Sequence, residues 1–167
     1  MNMLRSTTAV LVPALLLTMS CSSGDKSKDQ SAVTTLHFYE HDTGQTSVDL
    51  GTPGEGPGDQ FIFSGDVFDR QGGTKLGRTA GQCTTLSGNA TSGDVSCTET
   101  FILDGGQISV QTIADRAAVF SKGETVPMSI VGGSGKYSKA RGDGTVQVPP
   151  EVPNQTDPNF VLNVVTN

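Results

Sequence analysis

The feature that most constrains this chain is a rhythm. Short runs of alternating apolar and polar residues recur along it, each closed by a cluster of Gly, Asn, Asp or Pro. Alternation with period two sends every second side chain to one face of a strand, and turn residues at such spacing join strands into an all-β fold. The runs are Thr34–Asp42, Gln60–Arg70, Leu76–Leu86, Asp94–Leu103, Gln107–Ile113, Thr125–Val131, Tyr137–Val148 and Asn159–Thr166. Asp104-Gly105-Gly106 reads as a hairpin turn, and Gly132-Gly133-Ser134-Gly135 as another. Gly51 to Gly58 (GTPGEGPG) is a Pro/Gly loop unfit for a helix or a central strand. Only Ala114 to Ser121 (ADRAAVFS) passes for a helical turn. The 21 glycines suit so many turns, because Gly takes positive φ at no steric cost. Eight such strands suit a small closed antiparallel β-barrel, whose interior holds side chains or one small ligand. A β-sandwich shares the same pattern.

Residues 1–20 read as a targeting segment. Arg5 supplies a positive start, Ala9 to Leu17 is apolar apart from Pro13, and Thr18-Met19-Ser20 leads into Cys21. So short an apolar run ending in small residues is a secretory signal rather than a membrane span. A Cys at the expected cut resembles the bacterial lipobox, in which the thiol is acylated and becomes the mature N-terminus; here the usual Leu stands one place further from the Cys, at Leu17. Residues 21–32 then form a polar, flexible tether, SSGDKSKDQS being too hydrophilic to pack. Several buried acyl CH₂ groups, at about 0.8 kcal/mol each, hold such a protein on a membrane surface. The expected product is an exported lipoprotein of the bacterial cell envelope, with one domain over residues 33–167. The alternative is a plain signal peptide followed by a chance Cys. A net charge of −6 argues against nucleic acid as a partner.

With Cys21 assigned to lipid, Cys83 and Cys97 remain. They flank the loop Ser87 to Asp94. A hairpin turning about residue 90 sets 83 opposite 97 on adjacent strands, and in an exported protein a disulfide follows. Closing such a loop stabilises by about 3 kcal/mol in the chain-entropy model. A reactive thiol at Cys83 is the competing reading. No CxxC or HExxH is present, so no metal site is expected.

The opening strand carries the chemistry. In Leu36 to Asp42 (LHFYEHD), Leu36, Phe38, Glu40 and Asp42 share one face, and His37, Tyr39 and His41 the other. If the face with Leu36 and Phe38 points inward, Glu40 and Asp42 enter or edge an apolar cavity. A desolvated carboxyl has a raised pKa and suits general acid or base work. If the strand ends there, both acids sit in solvent at the rim. The glycines of Val131 to Gly144 (VGGSGKYSKARGDG) do not have phosphate-loop spacing; a hairpin and a strand kinked at Gly142 fit better. Arg141 beside that kink either reaches the lumen and pairs with an acid or stays on the surface.

Together these segments resemble the dirigent and allene oxide cyclase superfamily, in the right order from Leu36 to about Val148. LHFYEHD is similar to the opening "VYEIN" strand of the cyclases and the "YFHD" strand of dirigents. Val67-Phe68-Asp69 with Leu76 to Cys83 (LGRTAGQC) resembles the dirigent "VFD…VGRAQG" and the cyclase "GVTAGLC". Ile108 to Gln111 is similar to "LSVQG", and Ile130 to Gly142 to the dirigent "IVGGTGRFRFARG". The resemblance implies an eight-stranded barrel with a hydrophobic cavity, no cofactor and commonly a trimeric assembly, which opens a homotrimer as this chain's state. It sets Glu40 on the cyclase functional acid, Asp42 on the neighbouring Asn and on the dirigent Asp, Cys83 on the cyclase pocket Cys, and Arg141 on the dirigent pocket Arg. Phe38 and Tyr137 are the expected ligand-contacting aromatics. Lys136 departs from the family, standing where some dirigents have an acid.

The function expected on these grounds is an isomerase or cyclase without cofactor. It would bind a small hydrophobic molecule and confine a reactive conformer, with Glu40 or Asp42 as acid or base and Arg141 orienting an anionic group. The rival is a non-catalytic ligand carrier or surface interaction lipoprotein on the same scaffold. A lumen plugged by Phe61, Phe63 and Phe101 would favour the rival.

Overall fold

The structure, a computed structural model, describes residues 32–150 and 157–166. The expected signal peptide, the tether and Cys21 lie outside the described residues. Eight strands follow one another: β1 (Thr34–Val48), β2 (Gln60–Phe68), β3 (Lys75–Thr85), β4 (Asp94–Leu103), β5 (Gly106–Asp115), β6 (Thr125–Gly135), β7 (Arg141–Gln147) and β8 (Asn159–Val165). Each pairs antiparallel with the next, and β8 closes on β1, so the sheet is a closed barrel with no free edge. The alternation therefore sorts side chains into lumen and exterior, as the all-β reading requires. A single π-type turn, Ala117–Ser121, occupies part of the stretch that could pass for a helix.

Several boundaries differ from the sequence reading. β1 runs past Asp42 to Val48, because an irregularity between Asp42 and Gly44 shifts the register and pairing with β2 then resumes. A bulge of this kind turns the strand without ending it. β2 stops at Phe68, where Asp69 closes a turn by accepting the Thr74 amide at 2.8 Å. The run Gly132 to Gly135 is not the turn. It is the end of β6, paired with β5, and the turn falls on residues 136–140. Glycine is required there for close backbone approach: a Cβ on Gly133 would lie 2.4 Å from the Tyr137 carbonyl oxygen. Asp104 and Gly105 do form the tight β4–β5 connection, with Gly105 at φ 81°.

The connections fall into two groups. The tight β2–β3, β4–β5 and β6–β7 turns gather at one end of the barrel. The longer β1–β2, β3–β4 and β5–β6 connections and the end of β7 lie at the other. Inside the first end the core is solid: Phe101 lies between Phe38 and Phe160 at centroid distances of 5.2 and 5.0 Å. Val67, Ile108, Leu162 and Val164 complete it, all buried. The second end is hollow. Its β1–β2 loop is tied down by buried Asp59, whose carboxylate accepts the Leu50 amide at 2.7 Å and the Gly56 amide at 2.8 Å. Those backbone hydrogen bonds hold Asp59 below the usual carboxylate range.

Candidate functional site

A cavity of about 480 Å³ opens at the hollow end. That volume suits one small molecule. Its wall is largely apolar: Phe61 and Phe63 from β2, Val110 from β5, Val126 and Met128 from β6, Val146 from β7, and Phe120 from the π-type turn. Phe160 of the core also reaches it.

Against this wall stand four acids, Glu40, Asp42, Glu99 and Asp157. Glu40 follows Leu36 and Phe38 on the inward face of β1 and is 2% exposed. Its room comes from β2. A Cβ on Gly65 would lie 2.7 Å from Glu40 Oε1, so a larger residue there would push the carboxyl aside. Glu99 belongs to the inward face of β4, with Val95, Cys97 and Phe101, and is 8% exposed. It stands opposite Gly81 of β3, where a Cβ would strike the Phe63 ring at 2.5 Å. Two small positions on neighbouring strands thus clear space for an acid and for the aromatic wall.

Burial and then the Glu99 charge, with smaller contributions from Asp42 and Asp157, push Glu40 up to about 9. Burial is also the main cause that pushes Glu99 up to about 8, opposed by the hydrogen bond from Thr79 and reinforced by Asp42. Desolvation disfavours a carboxylate, and a second acid nearby disfavours it further. Hydrogen bonding points the same way. Thr79 Oγ1 lies 2.7 Å from Glu99 Oε1 and 3.1 Å from the Thr100 carbonyl oxygen. A hydroxyl has one hydrogen for these two acceptors. If Glu99 is protonated, its O–H donates to Thr79 and Thr79 donates to Thr100, which satisfies all three. Glu40 Oε1 is buried with no hydrogen-bond partner among the described residues. An orphaned buried polar atom of this kind is costly, and a ligand that meets it recovers that cost.

Asp42 is exposed at the mouth, where its carboxylate accepts the Gln45 amide. Partial burial raises its pKa, while Gln45 and His41 oppose the shift. His41 Nδ1 lies 3.1 Å from Asp157 Oδ1, fastening the segment before β8 to β1 at the rim. Among the described residues no group of His, Cys, Asp and Glu is arranged to hold a metal ion.

Other expected site residues are placed elsewhere. Arg141 is exposed, because the inward positions of β7 are Gly144 and Val146, and Arg141 lies on the opposite parity at the packed end. It is not brought together with Glu40. Tyr137 lies in the β6–β7 turn at that same end, half-buried, with the Lys136 ammonium 5.0 Å from its ring centroid. Phe38 is buried in the solid core against Phe101 and does not line the cavity. Phe101 does plug the barrel, but only its packed half; Phe61 and Phe63 line the hollow half and leave it open. Cys83 and Cys97 form a disulfide between β3 and β4 in the cavity wall, so Cys83 is no free thiol. The residues not foreseen are Glu99, Thr79 and Asp157. Glu99 carried the same signal as Glu40, an acid in an apolar alternating face.

A family model described as "Allene oxide cyclase barrel like domain" matches residues 35–162. No curated protein matches the chain in sequence. Solved structures with the same fold include a pyocyanin demethylase, 23% identical, with a TM-score of 0.62 over 78% of this chain and 99% of that one. The Diels-Alderase AbmU from Streptomyces koyangensis is 17% identical, with a TM-score of 0.62 over 84% of this chain and 71% of its own. A pterocarpan synthase dirigent protein is 20% identical, with a TM-score of 0.56 over 80% of this chain and 93% of its own.

Proposed function

The chain belongs to the allene oxide cyclase barrel-like family, and from that premise we propose that it admits one small, largely apolar molecule to the hollow half of its barrel and guides its cyclisation or isomerisation. The observation that carries this reading is the buried, unpartnered Oε1 of Glu40 at the wall of a cavity that holds a second neutralised acid, Glu99. A neutral buried acid donates a proton or a strong hydrogen bond to a ligand oxygen or nitrogen. The carboxylate so formed takes a proton back from another atom of the same ligand, so an isomerisation closes with no net proton change. The apolar wall restricts the ligand to few conformers, which lowers the entropic part of the barrier. A donor, an acceptor and a shaped wall suffice, and the reading calls on no cofactor. That solved structures of this fold include a Diels-Alderase and a dirigent protein supports a cyclisation guided by confinement.

On the strength of the leader and Cys21, the same proposal has the protein exported and held on a bacterial membrane by a lipid on Cys21. A Cys21→Ser variant is expected to move from the membrane fraction to the soluble one; retention in the membrane counts against the anchor.

Native mass spectrometry of the purified full chain tests the central claim. A retained small molecule is expected, and the same spectrum reads whether the chain assembles as a trimer. Turnover of that molecule by the wild type but not by Glu40→Gln supports the chemistry. A molecule that both proteins bind and return unchanged makes the barrel a carrier.

A further inference from the structure

The charge around the cavity has one sign. From β1 come Glu40 and Asp42, from β4 Glu99, and from the segment before β8 Asp157; among the described residues the one basic side chain lining the cavity is His41, already set against Asp157. The lining positions of β2, β3, β5, β6 and β7 carry no ionisable side chain other than the disulfide-bonded Cys83. Arg141 points outward at the far end. Arg116 belongs to a smaller neighbouring pocket, where it meets Glu55 at 3.1 Å and Thr85 at 2.7 Å. A carboxylate ligand would enter this hollow with no lysine or arginine among the described lining residues to receive it, and would face acids instead. That is the reverse of what binding an anion by Arg141 would need.

The aromatic wall adds a second preference. Phe61 and Phe63 stand two residues apart on one face of β2, with ring centroids 5.9 Å apart and planes inclined by 27°. Phe120 and Phe160 also reach the cavity. Ring faces attract flat π-systems and cations, the latter more strongly where water is excluded.

From these observations we infer that the cavity selects a flat, positively charged nitrogen heteroaromatic, stacked on the Phe61–Phe63 wall with its charge against Glu40 and Glu99. This rests on the proposal that the hollow half binds a small molecule, and it names the class. The bookkeeping is simple. A cation entering beside two neutral acids displaces a proton from one of them to solvent and forms an ion pair with the carboxylate left behind. Glu99 is the readier of the two to ionise, since the Thr79 hydrogen bond lowers its pKa, while Glu40 offers its unpartnered oxygen to the ligand.

The test is a fluorescence titration of the full chain at neutral pH with three tricyclic probes of like size: N-methylacridinium, anthracene and anthracene-9-carboxylate. The cation is expected to bind at a single site at least about tenfold more tightly than the carboxylate, the equivalent of one pKa unit. Glu40→Gln/Glu99→Gln is expected to reduce that preference severalfold, Asp42 and Asp157 remaining at the mouth, while still binding anthracene, because an amide matches the shape of a protonated acid. If that variant does not fold, calorimetry on the wild type in two buffers of different ionisation enthalpy decides instead: up to one proton released per cation bound is expected. Equal or tighter binding of the carboxylate, a cation preference that is undiminished in the folded double variant, or cation binding without proton release overturns the inference and leaves the cavity reading standing. Failure of all three probes to bind overturns both.

Discussion

The two halves of the barrel obey the same alternation and the same pairing, yet one is solid and the other hollow. In the packed half, inward positions carry Phe38, Phe101, Ile108, Leu162 and Val164, which fill the lumen from all sides. In the hollow half, the inward positions carry the acids, a disulfide and partly exposed Phe61 and Phe63. The barrel is thus held together at one end, which leaves the other free to carry groups that weaken a core. The contrast explains why buried carboxyls survive here: the stability that they cost is supplied by the packed half. The disulfide belongs to the same logic. It lies in the wall of the hollow half and ties β3 to β4 beside the cavity, within the ladder that runs from Gly77–Leu103 to Thr85–Val95.

The largest expected break in this comparison comes from two truncations of the same residue type. Phe101→Ala should destabilise by about 3–5 kcal/mol, the usual cost of a large cavity in a closed core. Phe63→Ala, on a wall already open to a cavity, should cost well under half of that. Denaturant unfolding of both checks it, and equal losses would mean that the hollow half is not hollow in solution.

Next in size is the staple. A Cys83→Ser/Cys97→Ser double variant should lose about 3 kcal/mol, the chain-entropy value for a short loop, against a sequence separation of 14 residues here. A loss below about 1 kcal/mol would show that strand pairing alone holds this wall.

The acids should give a smaller, pH-dependent effect. Glu40 and Glu99 ionise at about 4.5 in the unfolded chain but are pushed up to about 9 and about 8 in the barrel. Between those limits the folded chain keeps protons that the unfolded chain has released, so stability falls as pH rises. The contribution is complete below pH 4.5 and is gone above about 9. Thermal melts should therefore decline steadily from pH 5 to pH 9, as both buried acids are forced to ionise in the folded chain. In Glu40→Gln/Glu99→Gln the decline should flatten; a wild-type curve that rises over this range would contradict the neutral pair. The smallest effect belongs to Arg141→Ala. On the outside of the packed half it should change stability by less than about 0.5 kcal/mol and leave ligand affinity untouched.

Much of this was legible beforehand, for reasons tied to particular residues. The inward course of Leu36, Phe38 and Glu40 follows from alternation alone, and the pairing of Cys83 with Cys97 follows from a symmetric hairpin. Arg141 was ambiguous because glycines surround it, and glycine gives alternation nothing to mark. Gly132 to Gly135 reads as a turn for the same reason: the glycines there permit close strand contact, whereas their usual signal is a turn. Glu99 was readable from Val95, Cys97 and Phe101 on its own strand, but nothing local linked it to Glu40.

Sequence alone determined which side chains share a face of each strand, because the period of a strand is a property of the backbone. How deep each one sits was decided only by closure. The tilt of the strands and the registers around the ring set Phe38 in the solid half and Glu40 at the edge of the hollow one, two residues apart. The same closure brought Glu99, far along the chain, beside Glu40, and left Arg141 outside. Depth and company inside a barrel depend on all eight pairings at once, and no single strand carries that information.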